Sequence, residues 1–384
     1  MSNKTENEYE SIVPYTDEEV VEVLARVAKN PLLPVVSKFF FPDQPLNTFK
    51  KLLKDIHSIE EFQEVVMYRV VAAIIERSTS GFTCDGLENI DRNGTFLAVS
   101  NHRDIILDPA LVQWTLYANK MPLTEICVGS NLLEGNKLVA DLLRSNRMIK
   151  VIRGISAREL YLSSKLLSSY IRETVTSGKS AIWIAQKEGR TKDGLDMTEQ
   201  GLLKMFDMSG RGSFLDNFDE LHITPMSISY EYEPCDIRKA RELLISRSRK
   251  YVKKKMEDTR SIMLGIKQWK GGVHLNIDKP LTRGEIEMAS ACDRNDRYQA
   301  IRRTLDLRII RGYKLWKTNY MGYDLMNGSS KYRGLYSESD LEAFKAYTER
   351  KLSKVERSLD RDELRKIFWQ IYGNPVAARE RDLE

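Results

Sequence analysis

The feature that most constrains this 384-residue chain is an alternation of short β-branched or aromatic segments with helical stretches, beginning near residue 81. Six segments have the length and composition of strands, and they cover residues 95–100, 124–129, 148–152, 181–186, 223–230 and 273–277. Such an alternation predicts an α/β fold, layered, with a mainly parallel sheet flanked by helices. Sheets of this kind place their chemistry at the carboxyl ends of the strands.

Both ends of the chain have a different pattern. The first 80 residues have apolar positions at helical spacing, with capping-box signatures at Thr16 and Ser58. After residue 285 the chain is again helical in pattern and strongly charged. We therefore expect three regions: a helical N-terminal region at 1–80, an α/β domain at 81–285 and a helical C-terminal region at 286–384.

Composition restricts the protein class further. Hydrophobic residues make up 42% of the chain and charged residues 30%, which is typical of a folded protein. The 60 basic and 55 acidic residues give a net charge of +5, which permits anionic partners without requiring nucleic acid. Polar and acidic residues at the start lack a secretory pattern. Because four widely spaced cysteines form no CxxC pair, we expect reduced thiols and a cytoplasmic location.

One stretch carries the residue types of acid–base chemistry. The predicted strand at 95–100 runs directly into Asn101 and His102, and two carboxylates follow, Asp104 and Asp108. Histidine at a strand end is a suitable general base because its pKa lies near neutrality. Such a base needs a carboxylate on its other ring nitrogen, and either aspartate could supply it. The alternative is a surface histidine, with Asp108 acting only as an N-cap before Pro109.

The segment Ser-Asn-His-Arg, followed by an aspartate, resembles the HxxxxD signature of the glycerolipid acyltransferase superfamily. In this chain the acid lies one position late, as His102-x5-Asp108, while Asp104 lies too early. The resemblance implies that His102 is the catalytic base and that Asp108 orients it. Three later blocks follow in the family's order, so the resemblance spans residues 81–285.

The second and third blocks supply the candidate substrate-binding residues. Met148-Ile-Lys-Val-Ile-Arg-Gly154 is similar to the second block, and its cations are Lys150 and Arg153. The third block reads Gln-Lys-Glu-Gly-Arg-Thr, so the resemblance places its functional positions at Glu188, Gly189 and Arg190. A guanidinium group matches the geometry of a phosphate. The fourth block, residues 223–231, implies a strand that lines the acyl groove.

The resemblance implies an O-acyltransferase of phospholipid synthesis that moves a fatty acyl group from a thioester to a glycerolipid hydroxyl. The expected acceptor is 1-acyl-glycerol-3-phosphate, with glycerol-3-phosphate or a lyso-aminolipid as alternatives. The donor is acyl-CoA or acyl carrier protein, and no cofactor or metal is expected. Expected partners include a membrane surface at the inner face, where the protein would associate peripherally, but not nucleic acid. A non-catalytic membrane-binding protein with this fold is the second alternative.

Two further segments have open interpretations. Three phenylalanines within residues 31–42 could enter a bilayer interface or fill a buried connection between helices. The densest basic run could attract anionic lipid, coenzyme A phosphates or an acidic carrier, or it could be a solvated helix face. Its members are Arg247, Arg249, Lys250, Lys253, Lys254 and Lys255.

Overall fold

The computed structural model describes residues 9–133, 137–152, 156–254, 256–294 and 296–383. Seven strands form one sheet, and their bounds are β1 Gly81–Asp85, β2 Leu97–Ser100, β3 Glu125–Gly129, β4 Met148–Val151, β5 Ile182–Ala185, β6 Ile223–Tyr230 and β7 Gly272–Ile277. The order across the sheet is β1-β7-β6-β2-β5-β3-β4. Only the β6–β7 pairing is antiparallel among the described strands. The predicted mainly parallel α/β sheet is therefore confirmed.

Helices cover both faces and both ends of the sheet. Before β3 the helices are α1 Asp17–Val27, α2 Leu33–Phe40, α3 Leu46–Lys54, α4 Ile59–Phe62, α5 Tyr68–Ser78 and α6 Leu107–Ala118. A π-helical turn, Gln63–Met67, joins α4 to α5. From β3 to β6 they are α7 Ser130–Leu133, α8 Lys137–Arg144, α9 Ala157–Thr176, α10 Gln200–Asp207 and α11 Phe214–Asp219. The remainder are α12 Asp236–Ser246, α13 Glu257–Lys267, α14 Arg283–Ser290, α15 Asp296–Gly312, α16 Lys317–Asn327, α17 Glu338–Leu352 and α18 Arg361–Leu383.

The six predicted strands are present, and the sequence analysis missed one. β1 pairs only with β7, at the edge of the sheet, and its residues alternate between exposed and half-buried. A short edge strand with two glycine-flanked ends buries little apolar surface, so its pattern is weak. β7 runs antiparallel to β6 and parallel to β1, so β1 and β7 are antiparallel to the other five strands.

Alternate residues of the central strands enter two cores. Leu97 and Val99 of β2 pack with α9, α10 and α15 on one face, while Ala98 packs on the other face with Trp183 and Met148. The four residues of β2 are all buried, as expected for a strand covered on both faces.

The terminal helices form two further apolar clusters. α1–α4 pack around Leu24 and Phe62, together with Leu138 of α8. α16–α18 pack around Phe344 and Phe368, together with α12. The three-region division at residues 80 and 285 stays a prediction. Among the described residues, every helix is too short or too polar to span a lipid bilayer.

Candidate active site

The loop after β2 wraps around one buried carboxylate. His102 Nδ1 lies 2.8 Å from Asp108 Oδ2. The backbone N–H groups of Arg103 and Asp104 donate to the same oxygen, at 2.5 and 2.9 Å. These three donors converge because the turn curls back over the first turn of α6. The turn thus absorbs the extra residue between histidine and aspartate and brings the two side chains together.

The second oxygen of Asp108 is held from across the sheet. Tyr230, the last residue of β6, donates its hydroxyl to Asp108 Oδ1 at 2.7 Å. Burial, and then the charge of the Asp108 carboxylate, raise the pKa of Tyr230 well above its usual value. The phenol therefore stays protonated and acts as a donor. Both oxygens of Asp108, which is 1% exposed, are thereby hydrogen-bonded.

This arrangement sets the tautomer of the histidine. Because an ionised carboxylate only accepts hydrogen bonds, the contact to Asp108 places the imidazole proton on Nδ1 of His102. Nε2 then carries a lone pair, and within the described ranges it has no hydrogen-bond partner. The ring packs edge-on against Trp183, with the centroids 5.7 Å apart. His102 lines a cleft at the carboxyl ends of β2, β3 and β5, so Nε2 is available to a ligand.

Asp104 has a different role. Its Oδ1 accepts from the backbone N–H groups of Ile106 and Leu107, at 3.0 and 2.9 Å. It therefore caps the start of α6, as expected for an aspartate before a helix. The interpretation of Asp108 as the N-cap was wrong, because α6 begins at Leu107 and the Asp108 carboxylate is directed at the His102 loop. The choice of partner for His102, left open by the sequence, is decided in favour of Asp108.

A cluster of buried charges supports the loop from behind. The Arg103 guanidinium contacts Asp196 at 2.6 Å and Glu233 at 3.4 Å. Lys239 of α12 donates to Glu233 at 2.6 Å and to the carbonyl oxygen of Arg103 at 2.7 Å. Asn101 donates to Asp196 at 2.9 Å. The residues on both sides of His102 are thus anchored, and this cluster was not predicted from the sequence.

The loop after β5 forms the next wall of the cleft. Glu188, Gly189 and Arg190 all line it, as the resemblance implied. The backbone N–H of Thr191 donates to the carbonyl oxygen of His102 at 2.7 Å, which joins the two loops directly. Gly189 has a φ of 72°, a conformation that residues with a Cβ rarely adopt, so glycine is required by the turn itself.

Two cations that the site prediction omitted also line the cleft. Lys192 is paired with Glu242, and Lys253 lies 2.8 Å from Asp258. Lys192 belongs to the third block and Lys253 to the basic run. The sequence therefore indicated that both lie among charged residues, but it did not indicate that they line the cleft. Tyr230 carried no signal, because 122 residues separate it from Asp108.

The structure describes only one of the two cations predicted from the second block. Lys150 is on the edge strand β4, where it lies in register with Val128 of β3, a residue that lines the cleft. Lys150 itself does not line the cleft described here. Arg153 lies outside the described residues.

An apolar cavity continues from the cleft. It lies between the π-helical turn, α5, α6 and the start of β3, and Met67, Val71 and Trp114 line it. The two cavities have common walls, formed by Ile106, Pro109, Ile126, Leu143 and Met148. A hydrophobic chain attached to a group at His102 would therefore find an apolar path away from the polar cleft. Among the described residues, no cluster of three or more histidine, cysteine or acidic side chains could hold a metal ion.

Comparison with known proteins gives a family match for part of the chain. Residues 81–229 match the family model described as Acyltransferase. The chain is similar to a crystal structure of the 1-acyl-sn-glycerophosphate (LPA) acyltransferase PlsC from Thermotoga maritima, with 13% identity and a TM-score of 0.38. That match covers 76% of this chain and 92% of the other. None of the curated proteins compared with the chain matches it. The part of the chain that matches the Acyltransferase family model includes His102, Asp108 and the loop after β5, and this match supports an acyltransferase enzyme.

Proposed function

We propose that this protein transfers a fatty acyl group from a thioester donor to the free hydroxyl of 1-acyl-glycerol-3-phosphate. The observation that carries the proposal is the 2.8 Å contact between His102 Nδ1 and Asp108, which leaves Nε2 at the cleft. The late aspartate was the main support for a non-catalytic protein with this fold. With the pair intact, that alternative loses its support.

His102 acts as the general base. Its Nε2 takes the proton from the acceptor hydroxyl while the oxygen attacks the thioester carbonyl, and the thiol leaves with the proton from the imidazolium. Asp108 stabilises the imidazolium and keeps the ring in place. The transfer is direct, because the described residues that line the cleft offer no activated nucleophile. Burial, and then the nearby Glu125, raise the pKa of the Cys127 thiol, which keeps the sulfur protonated.

The apolar cavity beside the cleft takes the acyl chain. Its lining is almost entirely hydrophobic, and it meets the cleft at Ile106 and Met148. Burying an alkyl chain there gains about 0.8 kcal/mol per methylene. The cavity has a volume of about 60 Å³, so it takes only the beginning of an acyl chain, and it places the thioester carbonyl at the common wall near His102.

The cations of the cleft hold the phosphate of the acceptor. Arg190 lines the cleft beside His102 and is the main candidate. Lys192 and Lys253 also line the cleft, each beside a carboxylate partner, Glu242 and Asp258. Lys150 remains a candidate for the same clamp from β4, and Arg153 remains a candidate from the sequence alone. The clamp by itself fits 1-acyl-glycerol-3-phosphate, glycerol-3-phosphate and an anionic lyso-aminolipid. The apolar cavity favours acceptors that arrive at a lipid surface.

We further propose that the protein associates peripherally with a membrane at its cytoplasmic face. Leu32 and Val35, before and within α2, are 48% and 69% exposed, and Lys38 is exposed on the same helix. The phenylalanines are divided: Phe41 is buried, whereas Phe39 and Phe40 are half-buried. The segment thus combines both interpretations, with one side packed and one side free to meet lipid.

The decisive experiment measures thiol release from palmitoyl-CoA and from a palmitoyl carrier thioester. Each donor is tested with lysophosphatidate, glycerol-3-phosphate and a lyso-aminolipid, for the wild type and for H102A. Removal of a general base lowers the rate by about 10²–10⁴-fold. We expect acceptor-dependent release, fastest with lysophosphatidate, that is lost in H102A.

The matched control is H57A, which removes an exposed histidine far from the cleft along the chain. This variant should retain wild-type turnover. Full activity of well-folded H102A would refute the assignment of the base. Faster release with another acceptor would replace lysophosphatidate, and R190A with unchanged KM for a phosphate-bearing acceptor would remove Arg190 from the clamp.

A further inference from the structure

Besides the catalytic cleft and the apolar cavity beside it, the structure has a further cavity of about 390 Å³, which we call the second cavity. It is enclosed by α12, α13, the loop that joins them and the turn after α17. Its volume is within the range of small-molecule sites. Five cations line it: Arg238, Arg241, Lys254, Arg260 and Lys354. The interpretation of the basic run as a solvated helix face is wrong for its described members, because α12 ends at Ser246 and residues 247–254 belong to the loop before α13.

The carboxylates of this cavity are already occupied. Glu356 accepts hydrogen bonds from Arg241 Nε, at 2.8 and 3.1 Å, and from Arg241 Nη2, and these bonds hold the pKa of Glu356 at about 2. Glu257 accepts from the Tyr251 hydroxyl at 2.7 Å and from the backbone N–H of Lys254 at 3.0 Å. These contacts fix the loop and the walls. Against the effect of burial, these hydrogen bonds and the charge of Arg238 lower the pKa of Glu257, and the charge of Lys254 also lowers the pKa of Glu356.

Five cations and two carboxylates line the cavity, so positive charge remains in excess. Within the ranges that the structure describes, Arg238, Lys254, Arg260 and Lys354 have no carboxylate within ion-pair distance, and Arg238 Nη1 donates to Ser261 Oγ at 3.3 Å. Like charges around one concave surface repel each other and focus a positive potential. A ligand that carries several negative charges relieves that repulsion, and phosphates match both lysine and arginine donors.

Neighbouring residues line the cavity and the catalytic cleft. Lys253 lines the cleft and Lys254 lines the second cavity. At the start of α13, Asp258 lines the cleft and Glu257 the second cavity. The two spaces therefore lie on either side of the backbone at these two pairs of residues. A ligand with phosphates in one space and a reactive group in the other would cross the backbone there.

We propose that this cavity binds the phosphorylated nucleotide of a coenzyme A thioester while the thioester itself lies at His102. The proposal rests on the acyltransferase function proposed above and selects one of its two donor types. Coenzyme A carries its phosphates and its thiol at opposite ends of a flexible arm, as the two spaces require. An acidic carrier protein fits less well, because its helices, about 10–12 Å across with side chains, would dock on the surface and leave a cavity of about 390 Å³ unfilled.

Calorimetric titration with adenosine 3′,5′-bisphosphate tests the site without any acyl transfer. We expect the wild type to bind the nucleotide and the double variant R260A/K354A to bind it about tenfold more weakly. Both side chains are exposed, so the variant should fold normally. The control is K345A, whose lysine is exposed on α17 and pairs with Glu342; it should bind as the wild type does. No binding by the wild type would overturn the proposal.

Kinetics with two donors test whether the site serves the reaction. Palmitoyl-CoA and palmitoyl-pantetheine have the same thioester, but only the first carries the nucleotide. In R260A/K354A, KM for palmitoyl-CoA should rise about tenfold, with kcat unchanged and KM for palmitoyl-pantetheine unchanged. An equal rise for both donors, or activity only with a carrier thioester, would overturn the proposal. Nucleotide binding without transfer from any donor would instead refute the proposed function.

Discussion

Two neighbouring residues of α12 belong to opposite electrostatic environments. Lys239 is 2% exposed, and it is bonded to Glu233 and to the Arg103 carbonyl oxygen behind His102. Arg238, one residue earlier, lines the second cavity and has no carboxylate within ion-pair distance among the described residues. The buried cluster balances two cations with two carboxylates, whereas five cations and two carboxylates line the cavity.

The difference separates structural charges from binding charges. An unpaired charge inside a protein is strongly destabilising, so the cluster behind His102 must be complete for the chain to fold. A solvated cation needs no protein partner, and its charge remains available to an anion. On this argument, changes in the cluster affect folding first, and changes in the cavity affect only binding.

The largest effect is expected from E233L. The substitution leaves the Lys239 ammonium without its carboxylate and takes one of two carboxylates from Arg103. We expect a loss of about 3–5 kcal/mol in the free energy of unfolding, measured from urea denaturation midpoints. The control E356A removes the half-exposed partner of Arg241 and should lose no more than about 1 kcal/mol. Equal losses in the two variants would contradict the comparison.

The same cluster should give a specific dependence on pH. Burial alone would raise the pKa of Asp196, but the Arg103 guanidinium and the Asn101 amide lower it below its ordinary value. Its stabilisation is complete above the unfolded-state pKa of about 3.9 and is lost as the pH falls through the folded-state value. D196N should therefore lose less stability than the wild type between pH 5 and pH 2. Parallel curves of unfolding free energy against pH for D196N and the wild type would show that Asp196 does not contribute to the pH dependence of stability.

A smaller effect, on catalysis rather than folding, is expected from the hydrogen bond that supports the His102–Asp108 pair. Y230F removes the donor to Asp108 Oδ1 and leaves that oxygen buried without it. A hydrogen bond to a charged group contributes about 1.5–3 kcal/mol, so kcat should fall about tenfold or more while KM changes little. The control Y336F removes a similar phenol bonded to Asp324. Y336F should lower the free energy of unfolding without changing kcat. Equal losses of kcat in Y230F and Y336F would show that the effect of Y230F is structural alone.

The smallest effect on folding is expected from K354A. This lysine is exposed and contacts no carboxylate in the described part of the chain. Its removal should change the free energy of unfolding by less than about 0.5 kcal/mol, measured by urea denaturation. A loss as large as that of E233L would place Lys354 among the structural charges and remove the contrast between the two regions.

Much of the fold was predictable because strands buried on both faces are apolar throughout. The segment 223–230 matches β6 at both ends, and the five other predicted strands correspond to observed ones within one or two residues at each end. β1 was missed because a short edge strand buries little surface. The antiparallel direction of β7 was also unpredictable, since strand direction depends on where the chain returns rather than on residue pattern.

The candidate site was predictable only in its local parts. His102, Glu188, Gly189 and Arg190 follow strands that end at one edge of the sheet, and they meet there. The choice between Asp104 and Asp108 depended on how one turn curls, which residue spacing does not specify.

The sequence by itself determined which residue types stand at the strand ends, because that information is local and periodic. It also determined that a histidine and a carboxylate lie within one turn of each other. Only the tertiary structure decided which carboxylate is the partner, that Tyr230 and Lys239 support the loop from 122 and 136 residues away, and which cations remain unpaired. These are contacts between distant segments, and their energies depend on burial, which exists only once the sheet and its helices have packed.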